Sequence, residues 1–147
     1  MHWRVGWGAV ALGTVLAALS GSPASAVVRI TGDFGGQIGP YLETLAAIRD
    51  SGQRVVIDGP CLSACTMVLG VVPRERICVT RRARLGFHAA WHHGENGRPI
   101  TNEGGTQLLM AVYPQHVKNW LNRRGGLTRN MKYLTGRELT AMYRTCQ

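Results

Sequence analysis

Short β-branched runs alternate with a helical segment along the first half of this chain, and this alternation limits the fold more than any other feature. Val27 to Thr31 and Arg54 to Asp58 each have the composition of a strand. Between them, apolar residues recur at the 3.6-residue spacing of a helix, at Ile38, Tyr41, Leu42, Leu45 and Ile48. Two further strands are expected at Ile77 to Val79 and Leu85 to His88. Strands alternating with helices predict an α/β fold in a single small domain.

The second half of the chain is expected to be helical. Residues 104–123 carry apolar side chains at helical spacing, and Pro114 should kink or divide this segment. A last helix should begin at Thr135, because Thr135 and Glu138 have the spacing of a capping box. The segment from Trp91 to Ile100 is polar and rich in turn residues, so we expect a surface loop there and no strand after it.

The first 26 residues have the pattern of a cleaved secretory signal peptide. Arg4 supplies a positive n-region, Val5 to Leu19 is almost wholly apolar, and Ala24-Ser25-Ala26 offers the small residues that signal peptidase recognises. An uncleaved anchor is the alternative, but about 15 apolar residues are fewer than the roughly 20 that a spanning helix needs. We therefore expect residues 27–147 to form one mature α/β domain that is periplasmic or secreted.

The charge balance is basic. The chain has 17 Lys and Arg residues, of which Arg4 lies in the signal segment, against 8 Asp and Glu residues. Such an excess suits an anionic partner, for example an envelope surface. The arginines are scattered and no nucleic-acid-binding motif accompanies them, so a solvated basic face is favoured and nucleic acid is not expected as a partner.

Four cysteines agree with export, because disulfides persist outside the reducing cytosol. They are Cys61, Cys65, Cys78 and Cys146. An even count in a small domain favours two disulfides, although the sequence does not select among the three pairings. A single disulfide and a zinc site are the alternatives. Because no paired C-x-x-C spacing is present, neither a metal nor a cofactor is expected.

The run Cys61-Leu62-Ser63-Ala64-Cys65-Thr66 carries the candidate chemistry. Ser63 should lie in the first turn of a helix, where unpaired backbone N–H groups and the positive helix end favour negative charge. If Ser63 attacked a carbonyl carbon, the N–H of Ala64 and an N–H of the Gly35-Gly36 loop could hold the oxyanion, since glycine allows close backbone approach. The alternative is that Ser63 merely caps its helix.

The order of these motifs resembles that of a known family. A Gly-Gly loop, a helix, a strand, the Gly-x-x-x-Ser-Ala turn at Gly59 to Ala64 and a strand ending in Gly86-Phe87-His88 follow one another as in the Clp protease proteolytic subunit of the Clp-crotonase superfamily. The resemblance covers residues 27–90 best and extends to a group of small exported bacterial proteins related to that superfamily. It implies a spiral of ββα units followed by a helical C-terminal part.

The same resemblance implies a serine hydrolase. Ser63 would be the nucleophile and His88 the general base. The oxyanion donors would come from Gly35, Gly36 and Ala64.

The sequence departs from the family in three ways. The family's acidic residue that orients the histidine is missing, and Asn130 stands near the matching position. Either Asn130 orients His88, a remote acid does so, or no residue does; the candidate acids are Asp33, Asp58 and Glu95. The chain is also shorter than the Clp subunit, so a closed chamber and an ATPase partner are not expected, while a homo-oligomer stays open. Finally, Cys61 and Cys65 flank Ser63, and a disulfide there would staple the turn.

Several other residues have a plain structural interpretation. His92 and His93 are interpreted as surface residues, and Trp91 and Trp120 as packing residues. A Ser-Lys dyad would need Lys118 or Lys132, which no motif places near Ser63.

The leading hypothesis is therefore an exported, peptidase-like serine hydrolase that acts on a peptide or an ester. The alternative is a catalytically inactive Clp-like scaffold that binds a peptide or an envelope partner. A crotonase-type acyl-CoA enzyme is a third, less favoured hypothesis.

Overall fold

The computed structural model describes residues 26–147, so the signal-peptide prediction falls on a segment outside the described residues. The described part is a mixed α/β structure, as predicted. Its strands are β1 (Val27–Ile30), β2 (Arg54–Ile57), β3 (Pro60–Leu62), β4 (Ile77–Val79), β5 (Arg84–Phe87), β6 (Trp91–His93), β7 (Pro99–Thr101) and β8 (Lys132–Leu134). Its α-helices are α1 (Ile38–Asp50), α2 (Val68–Val71), α3 (Glu103–Val112), α4 (Gln115–Asn122) and α5 (Gly136–Met142). Short 3₁₀ helices span Ser63–Met67 and Arg74–Arg76.

Two three-stranded sheets form the framework. The first has the order β1-β2-β4 with all pairs parallel. Helix α1 connects β1 to β2, because parallel neighbours need a crossover connection rather than a tight turn. The second sheet has the order β3-β5-β8, in which β3 and β5 are parallel and β8 is antiparallel. Strands β6 and β7 form a separate antiparallel hairpin.

Buried side chains from both sheets and from the helices form one core. The strands contribute Val55, Ile57, Ile77, Val79, Leu85 and Phe87, and the helical part contributes Tyr113, Trp120, Leu121, Leu139 and Tyr143. The Phe87 ring lies with its centroid 5.3 Å from that of Tyr113 and 5.6 Å from that of Trp120. Such aromatic contacts add to the free energy of burial. They anchor the end of β5, the strand that leads into His88.

Strands continue beyond His88, and the prediction that they would stop was wrong. The segment expected to be a surface loop contains the β6–β7 hairpin, with Trp91 opposite Thr101. Strands β3 and β8 were not expected either. Each of these four strands has only three residues. Such a length is too short to display an alternating pattern, and pairing with distant strands decides the conformation instead.

The helical predictions for the C-terminal part were correct in outline. Pro114 separates α3 from α4, because it lacks the N–H that would continue α3. Thr135 is the N-cap of α5, but its side chain makes no cap hydrogen bond, so the capping-box prediction was wrong. The Glu138 carboxylate instead accepts hydrogen bonds from Arg124 Nη2 at 2.5 Å and from Trp120 Nε1 at 3.4 Å. The Glu138 carboxylate is therefore bound to these two side chains rather than to the backbone at the start of α5.

The structure confirms the prediction of two disulfides and selects their pairing. The short disulfide joins Cys61 to Cys65 with a Cα–Cα distance of 5.3 Å. The long disulfide joins Cys78 in β4 to Cys146 with a Cα–Cα distance of 5.0 Å. Disulfides of this kind indicate a protein outside the reducing cytosol. Among residues 26–147, no helix is both long and apolar enough to cross a membrane.

Candidate active site

Three segments meet at one end of the paired strands β3 and β5. Two backbone hydrogen bonds of Asp33 hold the loop after β1 to β3. The Asp33 N–H donates to the Pro60 carbonyl oxygen, and the Asp33 carbonyl oxygen accepts from the Leu62 N–H, both at 2.8 Å. Strands β3 and β5 run parallel with Leu62 opposite Gly86, so the residues that follow them leave from the same edge. The carboxyl ends of parallel strands are where α/β sheets commonly bind ligands. The topology therefore carries the glycine loop, Ser63 and His88 to one place.

Gly35 packs directly against the serine turn. Asp33 and Cys61 form an isolated parallel β-bridge. Two residues further along each segment, Gly35 lies against Ser63. Gly35 has a φ of +84°, and a Cβ at this position would lie 2.6 Å from Ser63 Cβ and 2.9 Å from the Ala64 nitrogen. No other residue type fits there without moving the backbone. The glycine loop and the serine turn are thus in contact at backbone distance.

Ser63 has an unusual backbone conformation. Its φ is +56°, and it is the only non-glycine residue with a positive φ in the described part of the chain. Holding a residue other than glycine in the left-handed region costs on the order of 1 kcal/mol or more. The N-cap of the 3₁₀ helix is Leu62 rather than Ser63, so helix capping does not explain the serine. Strain of this kind concentrates at functional sites, where the surrounding structure maintains it.

Buried hydrogen bonds from Thr66 and Tyr113 support the serine turn, which the short disulfide also spans. The fully buried Thr66 donates its hydroxyl to the Ser63 carbonyl oxygen at 2.6 Å. Because a hydroxyl has only one proton, Thr66 must accept at Oγ1 from the Tyr113 hydroxyl, 2.7 Å away. Burial raises the pKa of Tyr113 to about 12, so the phenol remains protonated and continues to donate at neutral pH. The end of α3 is thereby linked to the carbonyl of the strained residue.

Two of the three expected oxyanion donors have uncommitted N–H groups. The Gly35 N–H donates to Asp33 Oδ1 at 2.9 Å, and the same oxygen accepts from the Tyr41 hydroxyl at 2.5 Å. Within residues 26–147, the N–H groups of Gly36 and Ala64 make no turn or loop hydrogen bond. Gly36 and Ala64 are therefore available to a bound oxygen, while the Gly35 N–H stabilises the loop itself.

His88 is half-buried and follows β5 directly. Its Nδ1 lies 2.7 Å from the carbonyl oxygen of Ala89. Because a carbonyl oxygen can only accept, Nδ1 must carry a proton, and the neutral ring presents its lone pair at Nε2. This is the tautomer that a general base directed at a serine requires.

The residues expected to orient His88 are exposed or have other hydrogen-bond partners. Asn130 is exposed, and no hydrogen bond joins it to His88 among the described residues. Asp33 binds Gly35 and Tyr41, and Glu95 lies in the turn between β6 and β7. The sequence could not point to the Ala89 carbonyl, because every residue carries one.

Asp58 is also committed to other partners, away from His88. Its buried carboxylate accepts hydrogen bonds from Arg82, Thr80 and Arg29. These bonds, those from Arg82 and Thr80 foremost, hold the pKa of Asp58 well below its usual range. Asp58 therefore has a structural role, in joining β1, β2 and the residues after β4.

Ser63 and His88 line a single open cavity of about 730 Å³, together with the glycine loop and Ala64. No hydrogen bond joins Ser63 to His88 in the described part of the chain. Phe34 and Trp91 form an aromatic rim and are 74% and 50% exposed, respectively. Trp91 was interpreted as a packing residue, but it is exposed on the β6–β7 hairpin, while Trp120 is buried as expected.

The remaining candidate side chains lie around or away from this cavity. His92 and His93 are exposed at its mouth. Lys118 donates to the Ala111 carbonyl oxygen and Lys132 donates to Thr128 Oγ1, and neither lysine lines the cavity. Within residues 26–147, no group of three or more His, Cys, Asp or Glu side chains is placed to hold a metal ion.

Comparisons with known proteins add little to this geometry. No protein-family model matches the chain, and no curated protein matches it. Among solved structures, the chain is similar to a mutant of ClpP1 from Listeria monocytogenes, with 15% sequence identity and a TM-score of 0.47. The matched region covers 81% of this chain and 71% of that one. A likeness of this degree does not decide the activity.

Proposed function

We propose that this protein is an exported serine hydrolase that cleaves a peptide or an ester bond with Ser63 as its nucleophile. One observation carries the proposal: Ser63 is held at a positive φ at the entrance to a helix, beside a glycine loop and facing an open cavity. In α/β-hydrolases, a strained turn between a strand and a helix exposes the nucleophilic serine in a comparable way. Neither capping nor core packing would repay the strain at this position.

The reaction would follow the usual acyl-transfer course. The Ser63 hydroxyl gives its proton to His88 Nε2 as Oγ bonds to the substrate carbonyl carbon. The N–H groups of Ala64 and Gly36 donate to the oxyanion that forms. His88 then returns the proton to the leaving nitrogen or oxygen as its bond to carbon breaks. In the second half of the reaction, water gives a proton to His88 as its oxygen attacks the acyl carbon. The bond from carbon to Ser63 Oγ then breaks, and His88 returns the proton to Oγ.

His88 would be a weaker base than the histidine of a full triad. The Ala89 carbonyl fixes the tautomer and the ring orientation, but as a neutral dipole it stabilises the imidazolium less than a carboxylate would. Turnover also requires the Ser63 hydroxyl and Nε2 to come within hydrogen-bond distance of each other, which they are not in the described structure. Catalytic hydrogen bonds are often absent from unliganded sites and form only with substrate.

The fold and location belong to the same proposal. The parallel β1-β2-β4 sheet with its α1 crossover supports a Clp/crotonase-like spiral of ββα units. The two disulfides and the signal-like segment support a periplasmic or secreted location. The excess of basic residues supports an anionic envelope surface as a neighbour. We propose neither an ATPase partner nor a cofactor for this reaction.

Labelling with a fluorophosphonate probe tests the nucleophile. The probe phosphonylates an activated serine, forming an Oγ–P bond as the P–F bond breaks and fluoride leaves, so the purified protein with intact disulfides should be labelled. Ser63→Ala should abolish labelling, and His88→Ala should slow it by at least about 100-fold, the lower range for loss of a general base. Ser51→Ala, at the exposed end of α1, is the matched control and should label normally. The hydrolase proposal is refuted if the native protein stays unlabelled or Ser63→Ala still reacts.

A binding scaffold without catalysis is the second candidate function. It is favoured by one observation, the lack of a hydrogen bond between Ser63 and His88 in the described residues. The scaffold would be supported if the purified protein binds a peptide but is not labelled by the fluorophosphonate probe.

A further inference from the structure

A second cavity also has His88 in its wall, and it shares Trp91 and His93 with the first cavity. Its volume is about 360 Å³, and it is lined by His88 but not by Ser63, Ala64 or the glycine loop. Ala89, Pro99 and Met131 add to its apolar wall beside Trp91, and Arg129 completes the lining. The cavity is at the small end of the usual range for ligand sites. It can therefore take one compact group rather than a long segment of chain.

Arg129 is placed at this cavity by the backbone. The loop that carries it is fixed to the end of β5, because the Ala89 N–H donates to the Thr128 carbonyl oxygen at 2.7 Å. Among residues 26–147, which include all the acidic residues of the chain, no carboxylate forms an ion pair with Arg129. An unpaired guanidinium beside apolar walls suits a ligand with an apolar body and a carboxylate end.

We propose that this second cavity is a subsite for the C-terminal residue of a peptide, with Arg129 binding its free carboxylate and the apolar walls receiving its side chain. The inference rests on the proposed function for its place in the reaction. His88 must return its proton to the leaving group, so the leaving group lies on the His88 side of the site. The second cavity has His88 in its wall and adjoins the first at Trp91 and His93, so a leaving group protonated by His88 can extend into it.

The reaction at this subsite is removal of the last residue. The C–N bond between the last two residues breaks, the acyl part stays on Ser63 Oγ, and the proton held by His88 passes to the departing amine. The product is a free amino acid with an apolar side chain, and water then releases the shortened peptide. The substrate class is thus a peptide with a free, apolar C-terminal residue.

Two peptides of the same sequence test the subsite, one ending in leucine with a free carboxylate and one with that leucine amidated. Binding is measured by calorimetry on the full mature protein carrying Ser63→Ala, with the disulfides intact. We expect the free acid to bind about 10- to 100-fold more tightly, as a charge-assisted hydrogen bond contributes roughly 1.5–3 kcal/mol. Arg129→Gln should remove this preference without changing the affinity for the amide. Arg137→Gln, an exposed arginine of α5 outside the cavity, should keep it.

Cleavage by the wild-type protein provides the second measurement. Mass spectrometry should show release of leucine from the free acid and little cleavage of the amide. Equal binding of both peptides, or a preference that survives Arg129→Gln, overturns the subsite. A preference for the free acid in a protein that no fluorophosphonate labels keeps the subsite and removes the hydrolase. Internal cleavage of both peptides with equal efficiency keeps the hydrolase and removes the subsite.

Discussion

The polar chain from Tyr113 through Thr66 to the Ser63 carbonyl can be broken at its centre with little change in shape. Thr66→Val replaces the hydroxyl of a fully buried side chain with a methyl group. The Ser63 carbonyl oxygen then loses one hydrogen bond, and the buried Tyr113 hydroxyl loses its partner. Tyr113→Phe removes only the terminal donor and leaves the bond from Thr66 to Ser63 in place.

The effects of the two substitutions on the free energy of unfolding should not be additive. A lost neutral hydrogen bond costs about 0.5–1.5 kcal/mol, and a buried hydroxyl left without a partner costs about 1–3 kcal/mol. Thr66→Val should therefore lower the free energy of unfolding by about 2–4 kcal/mol, and Tyr113→Phe by about 1 kcal/mol. In the double variant no hydroxyl is orphaned, so its loss should be about 1–2 kcal/mol smaller than that of Thr66→Val alone.

Urea unfolding with intact disulfides measures these differences, provided that the slope of free energy against urea stays constant. Thr44→Val is the matched control, since its exposed hydroxyl donates to the Pro40 carbonyl oxygen on the surface of α1. It should change stability by no more than about 0.5 kcal/mol. The reasoning is refuted if Thr66→Val behaves like this control, or if adding Tyr113→Phe to Thr66→Val destabilises further. Fluorophosphonate labelling of Thr66→Val should also slow, because the backbone of Ser63 is no longer held.

Three further predictions concern the framework of the site. Gly35→Ala should destabilise the protein by about 2–4 kcal/mol in thermal unfolding, because of the positive φ and because a Cβ there would lie within 3 Å of neighbouring backbone atoms. Gly32→Ala is the control and should not destabilise it, since a Cβ there meets nothing within 4 Å. Replacing both cysteines of one disulfide with serine should lower the free energy of unfolding by about 4.4 kcal/mol for the long disulfide and about 2 kcal/mol for the short one. The difference follows from the sequence separations of 68 and 4. Equal losses would contradict this entropic estimate. The folded pKa of Asp58 lies below its unfolded value of about 3.9, so its stabilising contribution is complete above that pH and is lost as the pH falls further. Asp58→Asn should therefore flatten the acid side of the stability profile, and a profile parallel to that of the wild type would exclude this role.

Much of the framework follows from local sequence patterns. The apolar spacing in residues 38–48 predicted α1, and the missing N–H of Pro114 predicted the break between α3 and α4. The β-branched runs at the start of the chain and at Arg54 to Asp58 predicted β1 and β2. Such features depend on nearest neighbours along the chain, and for that reason composition and periodicity reveal them.

The candidate site was only partly accessible from the sequence. Its motifs indicated that a glycine loop, Ser63 and His88 belong together, and the structure places all three around one cavity. The sequence suggested side-chain partners for His88, whereas its ring Nδ1 contacts the backbone carbonyl oxygen of Ala89. The support of Ser63 depends on the hydrogen bond between Thr66 and Tyr113, which lie 47 positions apart and leave no local pattern.

By itself, then, the sequence determined the α/β class, the main helices, the even cysteine count and the residue types that could perform acyl transfer. Only the folded chain shows which cysteines pair, that β3 and β8 join β5 in a second sheet, that β6 and β7 form a hairpin, and that Ser63 is held at a positive φ. The physical reason is that these outcomes arise from contacts between backbone groups and side chains far apart in the chain. Every residue carries a backbone N–H or carbonyl able to make such contacts, and only the register of the folded strands selects those that do.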